Sequence, residues 1–214
     1  MKKNNNLCTI YIVRHGESEA NVLGAKGIDF KSSLEYGSKL TEKGRTQAKV
    51  LAEKFKNIKF DAIFSSDYTR TQETAAILKL ERKLAVIATE VIRERQFGSW
   101  AGRWHLVKYK LHEEIRNLAE EDKMKFVFED VETEEHLYER FNVFLREIAI
   151  VYAAKTVLVA CHGNLMRTLL WKLGWATYHQ LPSGSIENTG YYIIESDGTE
   201  FYLKETHGVN KKEE

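Results

Sequence analysis

Apolar runs of strand length alternate along the chain with stretches whose apolar residues recur at helical spacing. The strand-like runs, rich in β-branched and aromatic residues, lie at 8–13, 61–65, 84–92 and 156–160. Two further runs flank Ser196-Asp197-Gly198, a sequence that favours a hairpin turn. Strands that alternate with helices predict an α/β fold, with three layers (α/β/α) and a mostly parallel central sheet.

Residue types that cap helices mark where several of the helices begin and end. Thr41 is a candidate N-cap for a helix whose apolar stripe ends at Phe55. Ser66 or Asp67 is the candidate cap of the next helix. Gly174 follows a helix after the last of the four runs and is a candidate C-cap.

Three segments fall outside this pattern of strands and caps. Residues 22–39, rich in glycine, lysine and serine, predict a surface loop, and residues 208–214 predict a frayed tail. Apolar residues at helical spacing over 104–121 and 137–151 predict two helices, which we assign to a helical insertion at about 103–155 over the functional site. No repeat interrupts the 214 residues, so the chain is predicted to form a single domain.

Composition narrows the class of protein. The 32 basic and 31 acidic residues leave a net charge of +1, so we expect no nucleic-acid partner and no membrane partner. No apolar run has the length of a membrane span, and no leader-type cleavage site follows the N-terminus, which predicts a cytoplasmic protein. Cys8 and Cys161 lie in apolar runs and predict buried thiols in a reducing compartment. The oligomeric state stays open, with a dimer among the options.

Three of the predicted strands run into side chains that bind anions. Arg14 and His15 end the first strand, Arg70 follows the second at the start of a helix, and His162 follows the fourth. Because parallel strands of one sheet end at the same edge, we expect these groups to converge. Two imidazoles, two guanidiniums and the N-termini of helices together predict a phosphate site.

Phosphoryl transfer at such a site needs a nucleophile and a proton donor. The sequence shows neither a cluster of metal ligands nor a glycine-rich nucleotide loop, so we expect no metal and no cofactor. A neutral imidazole can attack phosphorus. Glu94, at a strand end before a glycine-containing loop, is the candidate acid for the leaving oxygen.

Five sequence blocks resemble those of one family. The blocks are Arg14-His15-Gly16-Glu17-Ser18-x-x-Asn21, Leu40-Thr41-x-x-Gly44-x-x-Gln47-Ala48, Ser66-Asp67-x-x-Arg70-x-x-x-Thr74-Ala75, Glu94-x-x-x-Gly98-x-Trp100-x-Gly102 and His162-Gly163. In this order and spacing, from about residue 8 to residue 195, the chain resembles the histidine phosphatase superfamily. Within that superfamily it is similar to the phosphoglycerate-mutase-like branch.

The resemblance implies a metal-independent hydrolase of phosphoric monoesters, a histidine acid-type phosphatase that works through phosphohistidine. His15 would take the phosphoryl group, and Arg14, Arg70 and His162 would hold its oxygens. Glu94 would act as general acid and then as base for the attacking water.

The same resemblance implies further contacts and a class of partner. Asn21 would lie near the phosphate, and the Gly163 N–H would contribute a donor. The partner would be a small phosphorylated substrate, a metabolite whose identity the sequence leaves open. We expect the loop 22–39 and the insertion 96–140 to set that choice.

Some positions depart from the family's pattern or have two interpretations. Ala101 stands where the family commonly has an acidic residue, and Asn164 stands where a small residue is common. Glu132 with Arg140 resembles a pair common to the family, which we expect to tie the insertion down. Arg95 either contacts an anionic substrate or lies on a solvated helix face.

Three alternatives remain. Phosphoglycerate mutases that depend on 2,3-bisphosphoglycerate carry adjacent arginines in the insertion, and no such pair occurs between 95 and 145, which favours water as acceptor. Cys161 and Arg167 have the C-x5-R spacing of cysteine-dependent phosphatases, an interpretation that leaves Arg14 and Arg70 without a role. A non-catalytic binding protein on this fold is disfavoured because all five candidate catalytic side chains are present.

Overall fold

A computed structural model describes residues 6–80, 82–115 and 117–213, without the side chain of residue 112. The strands are β1 (Cys8–Arg14), β2 (Ala62–Ser66), β3 (Val86–Thr89), β4 (Thr156–Cys161), β5 (Ile186–Ser196) and β6 (Phe201–Val209). The helices are α1 (Glu19–Ala25), α2 (Ser32–Gly37), α3 (Glu42–Phe55), α4 (Thr69–Lys79), α5 (Trp104–Ile115), α6 (Glu120–Lys123), α7 (Glu134–Val151) and α8 (Gly163–Lys172). Short 3-10 turns lie at Glu90–Ile92 and Gly98–Trp100.

The six strands form one sheet in the order β3-β2-β4-β1-β5-β6. Strands β3, β2, β4 and β1 run parallel, and β5 and β6 are antiparallel to their neighbours. The predicted mostly parallel sheet and the hairpin are therefore confirmed. Because β1 lies beside β4, and β4 beside β2, the three strands that carry the candidate site are adjacent.

Alternation of side chains along β1 and β4 gives the sheet two buried faces. Ile10 and Ile12 point to one side, where α7 and α8 pack, and Val13 points to the other, where α3 and α4 pack. On β4, Val157 and Leu158 divide between the same two sides. Helices therefore cover both faces, which confirms the three-layer fold.

The N-terminus of α3 agrees with the sequence prediction, whereas the N-terminus of α4 and the predicted loop at 22–39 differ from it. The Thr41 hydroxyl accepts from the N–H of Gly44 at 3.0 Å, so this N-cap is confirmed. The cap predicted for α4 is wrong: Tyr68 precedes the helix, and the Asp67 carboxylate instead receives Arg93 Nε at 2.9 Å. The loop predicted at 22–39 is also wrong in part, because α1 and α2 lie within or overlap it.

The predicted insertion divides into a cap and a core helix. Helix α5 and its neighbours bury a small apolar cluster that includes Val107 and Leu111, apart from the sheet. Helix α7, in contrast, buries Leu137 and Phe141 against the sheet, so the second half of 103–155 belongs to the central layers. We call residues 97–133 the cap.

The C-terminal segment is held by hydrogen bonds rather than frayed from residue 208. Strand β6 continues to Val209, and the N–H groups of Asn210 and Lys212 donate to Ser185 O and Gln180 O at 2.7 and 2.9 Å. Backbone pairing that continues past Gly208 accounts for this correction. Among the described residues, no helix is both long and apolar enough to cross a membrane.

Candidate active site

The carboxyl ends of β1, β2 and β4 bring the predicted groups together. Arg14 is the last residue of β1, His162 follows β4 directly, and Arg70 lies in the first turn of α4. The His15 N–H donates to Cys161 O at 3.1 Å, so the pairing of β1 with β4 extends into the site. The rings of His15 and His162 are 5.3 Å apart, centre to centre.

The hydrogen bonds of His15 fix its tautomer. Its Nδ1 lies 2.7 Å from the carbonyl oxygen of Gly16, which can only accept, so Nδ1 carries the proton. Its Nε2 accepts from Arg70 Nε at 3.1 Å. Burial, together with the charges of Arg70 and Arg14, holds the pKa of His15 well below its usual range. The imidazole is therefore neutral at pH 7, with a lone pair on Nε2.

Arg70 links the nucleophile candidate to its neighbours. Besides His15, its guanidinium donates through Nη1 to the carbonyl oxygen of Glu35 and through Nη2 to Nδ1 of His162, the latter at 3.3 Å. Since arginine only donates, His162 Nδ1 must accept, and the proton of its neutral ring lies on Nε2. Burial and Arg70 hold the pKa of His162 well below its usual range.

Two of the buried nitrogens beside the paired histidine rings have no hydrogen-bond partner among the described residues. They are Nε2 of His162 and Nε of Arg14, whose Nη1 donates to Ile186 O. Burial lowers the pKa of Arg14, but a guanidinium stays charged at neutral pH. A Cβ on Gly163 would lie 3.3 Å from Arg14 Nε, so a glycine at this position leaves space beside the guanidinium. Both nitrogens are donors suited to an oxyanion.

Glu94 lies on the same cavity wall as His15. Its two carboxylate oxygens accept from the N–H groups of Arg95, at 2.8 Å, and Asn164, at 3.3 Å. The side chain is half-buried. A carboxyl group held in this way can give a proton to a leaving oxygen and take one from water.

The second sequence block positions the loop that follows β1. A Cβ on Gly44 would come within 2.0 Å of Glu17 O, and a Cβ on Gly16 within 2.5 Å of Gly44 O. Only glycine permits this close backbone approach. Gln47 Oε1 accepts from the Glu17 N–H at 2.9 Å, and Thr74 Oγ1 accepts from the Gly16 N–H at 3.1 Å. The blocks therefore hold His15 rigidly.

Asn21 lines the cavity, and its side chain contacts protein groups. Its Oδ1 accepts from Ser18 N at 3.1 Å and from Asn188 Nδ2 at 3.2 Å, and Asn188 Nδ2 also lies 3.2 Å from His15 O. Sequence reasoning did not identify Asn188, which lies near the start of β5 within a polar stretch that resembles an ordinary strand end.

Glu35 is a second residue that the sequence did not reveal. Its side chain is buried on the cavity wall, and burial raises the pKa of its carboxyl group to about 7. The N–H of Gly102 donates to that carboxyl group, which joins α2 to the cap. Because residues 22–39 show little periodicity, only tertiary structure reveals this contact.

The site opens into a cavity of about 370 Å³. Its lining combines charged side chains, among them those at the sheet edge, with apolar side chains, several of them from the cap. The apolar side chains include Phe30, Phe97, Trp104, Val107, Leu111 and Tyr178. This space exceeds the needs of a phosphoryl group and suits a ligand with an organic portion.

The cysteine-dependent alternative is wrong on structural grounds. Cys161 has no exposed surface and packs in the core with Leu165, and burial raises the pKa of its thiol far above the usual range. The guanidinium of Arg167 donates instead to Leu181 O and to Asn164 Oδ1.

The described residues contain no group of three or more histidine, cysteine or acidic side chains arranged to hold a metal ion.

The tie expected between Glu132 and Arg140 is present. Arg140 Nε and Nη2 donate to the two carboxylate oxygens of Glu132 at 2.8 and 3.0 Å. Arg140 also donates to Glu94 O at 3.2 Å, so the pair braces the segment that carries the candidate acid. The strand predicted to reach residue 92 ends at Thr89, and a 3-10 turn separates it from Glu94.

Comparison with known proteins gives relatives of closely similar length. Phosphoserine phosphatase 1 of Hydrogenobacter thermophilus is 31% identical over 186 residues, which cover 86% of this chain and 85% of that protein. A 2,3-bisphosphoglycerate-dependent phosphoglycerate mutase of Bartonella henselae is 28% identical over 89% of this chain and 94% of its own length. The solved structure of Bacillus stearothermophilus YhfR superposes with a TM-score of 0.74 at 26% identity, over 92% of this chain and 95% of that one.

The family comparison agrees with these relatives. The model of the histidine phosphatase superfamily (branch 1) matches residues 10–207, which include every block from Arg14 to His162. The chain belongs to the histidine phosphatase superfamily, branch 1.

Proposed function

We propose that the chain is a metal-independent phosphatase that hydrolyses small phosphorylated metabolites through a phosphohistidine at His15. The proposal rests on the protonation and the hydrogen bonds of this imidazole. It is neutral and buried, and its Nε2 lone pair lies among guanidinium donors, whereas Nδ1 is fixed by Gly16 O. A neutral imidazole is a nucleophile, and fixed donors around it stabilise the charge that develops on the phosphoryl oxygens.

In the first step, the Nε2 lone pair of His15 attacks phosphorus and the bond from phosphorus to the ester oxygen breaks. The leaving oxygen takes the proton of the Glu94 carboxyl group, so the alcohol departs neutral. Arg14, Arg70 and the Nε2–H of His162 donate to the three phosphoryl oxygens.

In the second step, the Glu94 carboxylate takes a proton from water while the water oxygen attacks phosphorus. The bond from Nε2 to phosphorus breaks and its electron pair returns to the imidazole. Inorganic phosphate leaves, and Glu94 is again protonated for the next cycle.

The experiment compares turnover of p-nitrophenyl phosphate by wild type and two histidine variants in the presence of EDTA. We expect His15→Ala to lower kcat by about 10³-fold or more, as removal of a nucleophile does in enzymes of this mechanistic type. His207→Ala, in an exposed position on β6, is the matched control and keeps wild-type turnover. Equal rates for His15→Ala and wild type would refute the proposal, and so would loss of turnover in EDTA.

A phosphoglycerate mutase is the second candidate, favoured by the Bartonella henselae relative. Incubation with 3-phosphoglycerate, with and without 2,3-bisphosphoglycerate, separates the two. Release of inorganic phosphate supports the phosphatase, and exchange of the phosphoryl group between carbons supports the mutase. A non-catalytic binding protein would give neither product from any phosphomonoester.

A further inference from the structure

Arg95 has no role in the proposed phosphoryl transfer, but it resembles the groups proposed to bind phosphate in having a buried donor nitrogen. Arg95 lines the cavity with 4% of its surface exposed, and within the described part of the chain its Nε has no hydrogen-bond partner, which is also true of Arg14 Nε and His162 Nε2. A buried donor without a partner is costly for the folded protein. At Arg14 and His162 we expect phosphoryl oxygens to accept; the proposed reaction gives Arg95 no such acceptor.

A second arginine, Arg167, lies close to the carboxylate that Arg95 binds. The Nη2 atom of Arg95 forms an ion pair with Glu134, whose other oxygen accepts from Thr168. Arg167, on α8, also lines the cavity and contributes to the field at Glu134. Burial acts against the charge on Glu134, but Arg95 and Arg167 outweigh it and lower the pKa of this carboxyl group.

The guanidiniums of Arg95 and Arg167 therefore lie near one buried carboxylate, with which Arg95 forms the ion pair, so these three groups together carry one net positive charge. Glu94 also contributes to the field at Arg95, but under the proposed function it is protonated when the substrate binds. Arg14 and Arg70 balance the charge of a phosphate dianion. Buried charges are normally paired, so the remaining charge favours a further anion on the ligand.

The position of Arg167 is fixed within the cavity wall. Its Nε donates to Leu181 O, its Nη1 donates to Asn164 Oδ1 at 2.6 Å, and it contacts the Tyr178 hydroxyl. The Asn164 N–H donates to Glu94 at 3.3 Å. Hydrogen bonds through Asn164 therefore link Arg167 to the candidate acid. Asn164, one of the two residues that depart from the family's pattern, connects Arg167 with Glu94.

We propose that Arg95 and Arg167 form a second anion-binding subsite, which selects phosphomonoesters whose alcohol carries a further anionic group. We call these two residues the arginine pair. The inference rests on the proposed phosphatase function and deepens it. A carboxylate and a second phosphate are both anions that guanidiniums bind through charge-assisted hydrogen bonds. The cavity has room for a carbon chain between this group and the phosphoryl group.

The test uses a series of ω-carboxyalkyl phosphates, the matching alkyl phosphates without the carboxylate, and alkanediol bisphosphates. We expect kcat/KM of the best carboxyalkyl phosphate or bisphosphate to exceed that of its alkyl match by about tenfold, the effect of one charge-assisted hydrogen bond. The chain length at the optimum reports the span from phosphorus to the arginine pair. Preference for a carboxylate or for a second phosphate identifies the anion.

Variants of the arginine pair assign the preference to these residues. Arg167→Met is expected to lower the ratio of anionic to alkyl kcat/KM by about tenfold, and Arg95→Met to do the same if it folds. Arg103→Met removes an arginine that packs on Trp100 outside the cavity, so it should leave the ratio unchanged. Because Arg167 is only half-buried, its variant keeps the test informative if Arg95→Met does not fold.

Failure of this inference differs from failure of the proposed function. Hydrolysis of alkyl phosphates through His15, with no preference for an anionic tail, would overturn the arginine pair alone. A preference that survives Arg167→Met would also overturn it. Absence of hydrolysis of every ester would overturn the proposed function instead.

Discussion

The two buried histidines give the folded protein a pH dependence whose sign and size follow from the structure. Burial, followed by the charge of Arg70, holds the pKa values of His15 and His162 well below 6.5. In the unfolded chain each imidazole titrates near pH 6.5. Below that pH the two imidazoles are protonated in the unfolded state, whereas they stay neutral in the folded state. The stability contributed by the neutral rings is therefore complete above pH 6.5 and is lost as the pH falls.

The magnitude is set by proton counting. Each histidine that is charged only in the unfolded state adds a slope of about 1.4 kcal/mol per pH unit to the free energy of unfolding, or about 2.7 kcal/mol for the two. Glu35 acts in the opposite direction, because its pKa is raised to about 7 and stability is lost as the pH rises towards that value. Its slope is about −1.4 kcal/mol per pH unit, which leaves a net of about 1.4 kcal/mol per pH unit from the three groups.

Denaturant unfolding at several pH values between about 5 and 6 measures this slope, above the range where carboxylates with lowered pKa such as Glu132 contribute. We expect His15→Gln and His162→Gln each to reduce the slope by about 1.4 kcal/mol per pH unit, whatever their effect on stability itself. His207→Gln, at an exposed position, is the control and keeps the wild-type slope. An unchanged slope for His15→Gln would show that folding leaves the protonation of this ring unaltered, and the argument for a neutral nucleophile would be wrong.

Three further outcomes follow from the site. Glu94→Gln should lower kcat/KM, which reports the first step, about 10²- to 10⁴-fold for alkyl phosphates, whose leaving oxygen needs a proton, and much less for p-nitrophenyl phosphate; equal losses of kcat/KM would contradict the acid role. Gly44→Ala, whose Cβ would lie 2.0 Å from Glu17 O, should reduce the free energy of unfolding by about 1–3 kcal/mol. Gly37→Ala, with open space around it in α2, should leave that free energy unchanged or raise it by up to about 1 kcal/mol in the same denaturation assay. Cys161→Ala should keep wild-type kcat for p-nitrophenyl phosphate.

The convergence of the groups proposed to bind phosphate was predictable from sequence because a sheet with parallel strands places the strand ends at one edge. Arg14, Arg70 and His162 each follow a run whose apolar residues predict a strand. The three strands are adjacent in the sheet, which brings the three side chains together. The pairing of Glu132 with Arg140 was predictable from the resemblance.

Other features depend on tertiary contacts that leave no local pattern. Glu35 contacts the site through its carbonyl oxygen, which every residue has, so its type gave no signal. The sequence left two interpretations of Arg95 open, an anion contact or a solvated helix face, because its partner Glu134 lies on a distant helix. Asp67 has the side chain of an N-cap, but Arg93 binds it, and the helix begins later.

The boundary of the cap also could not be read from periodicity. Apolar residues recur at helical spacing in both α5 and α7, but only α7 presents them to the sheet. Periodicity identifies a buried face of a helix, and it does not identify what covers that face.

Under the proposed function, Nε2 of His15 receives the phosphoryl group. The most direct test is rapid acid-free quenching during turnover, followed by ³¹P NMR and peptide mapping of the labelled protein. We expect one base-stable, acid-labile phosphohistidine at residue 15, substituted on Nε2, because Nδ1 carries a proton that it donates to Gly16 O. Label on Nδ1, on His162 or on Cys161, or turnover without any phosphohistidine, would contradict it.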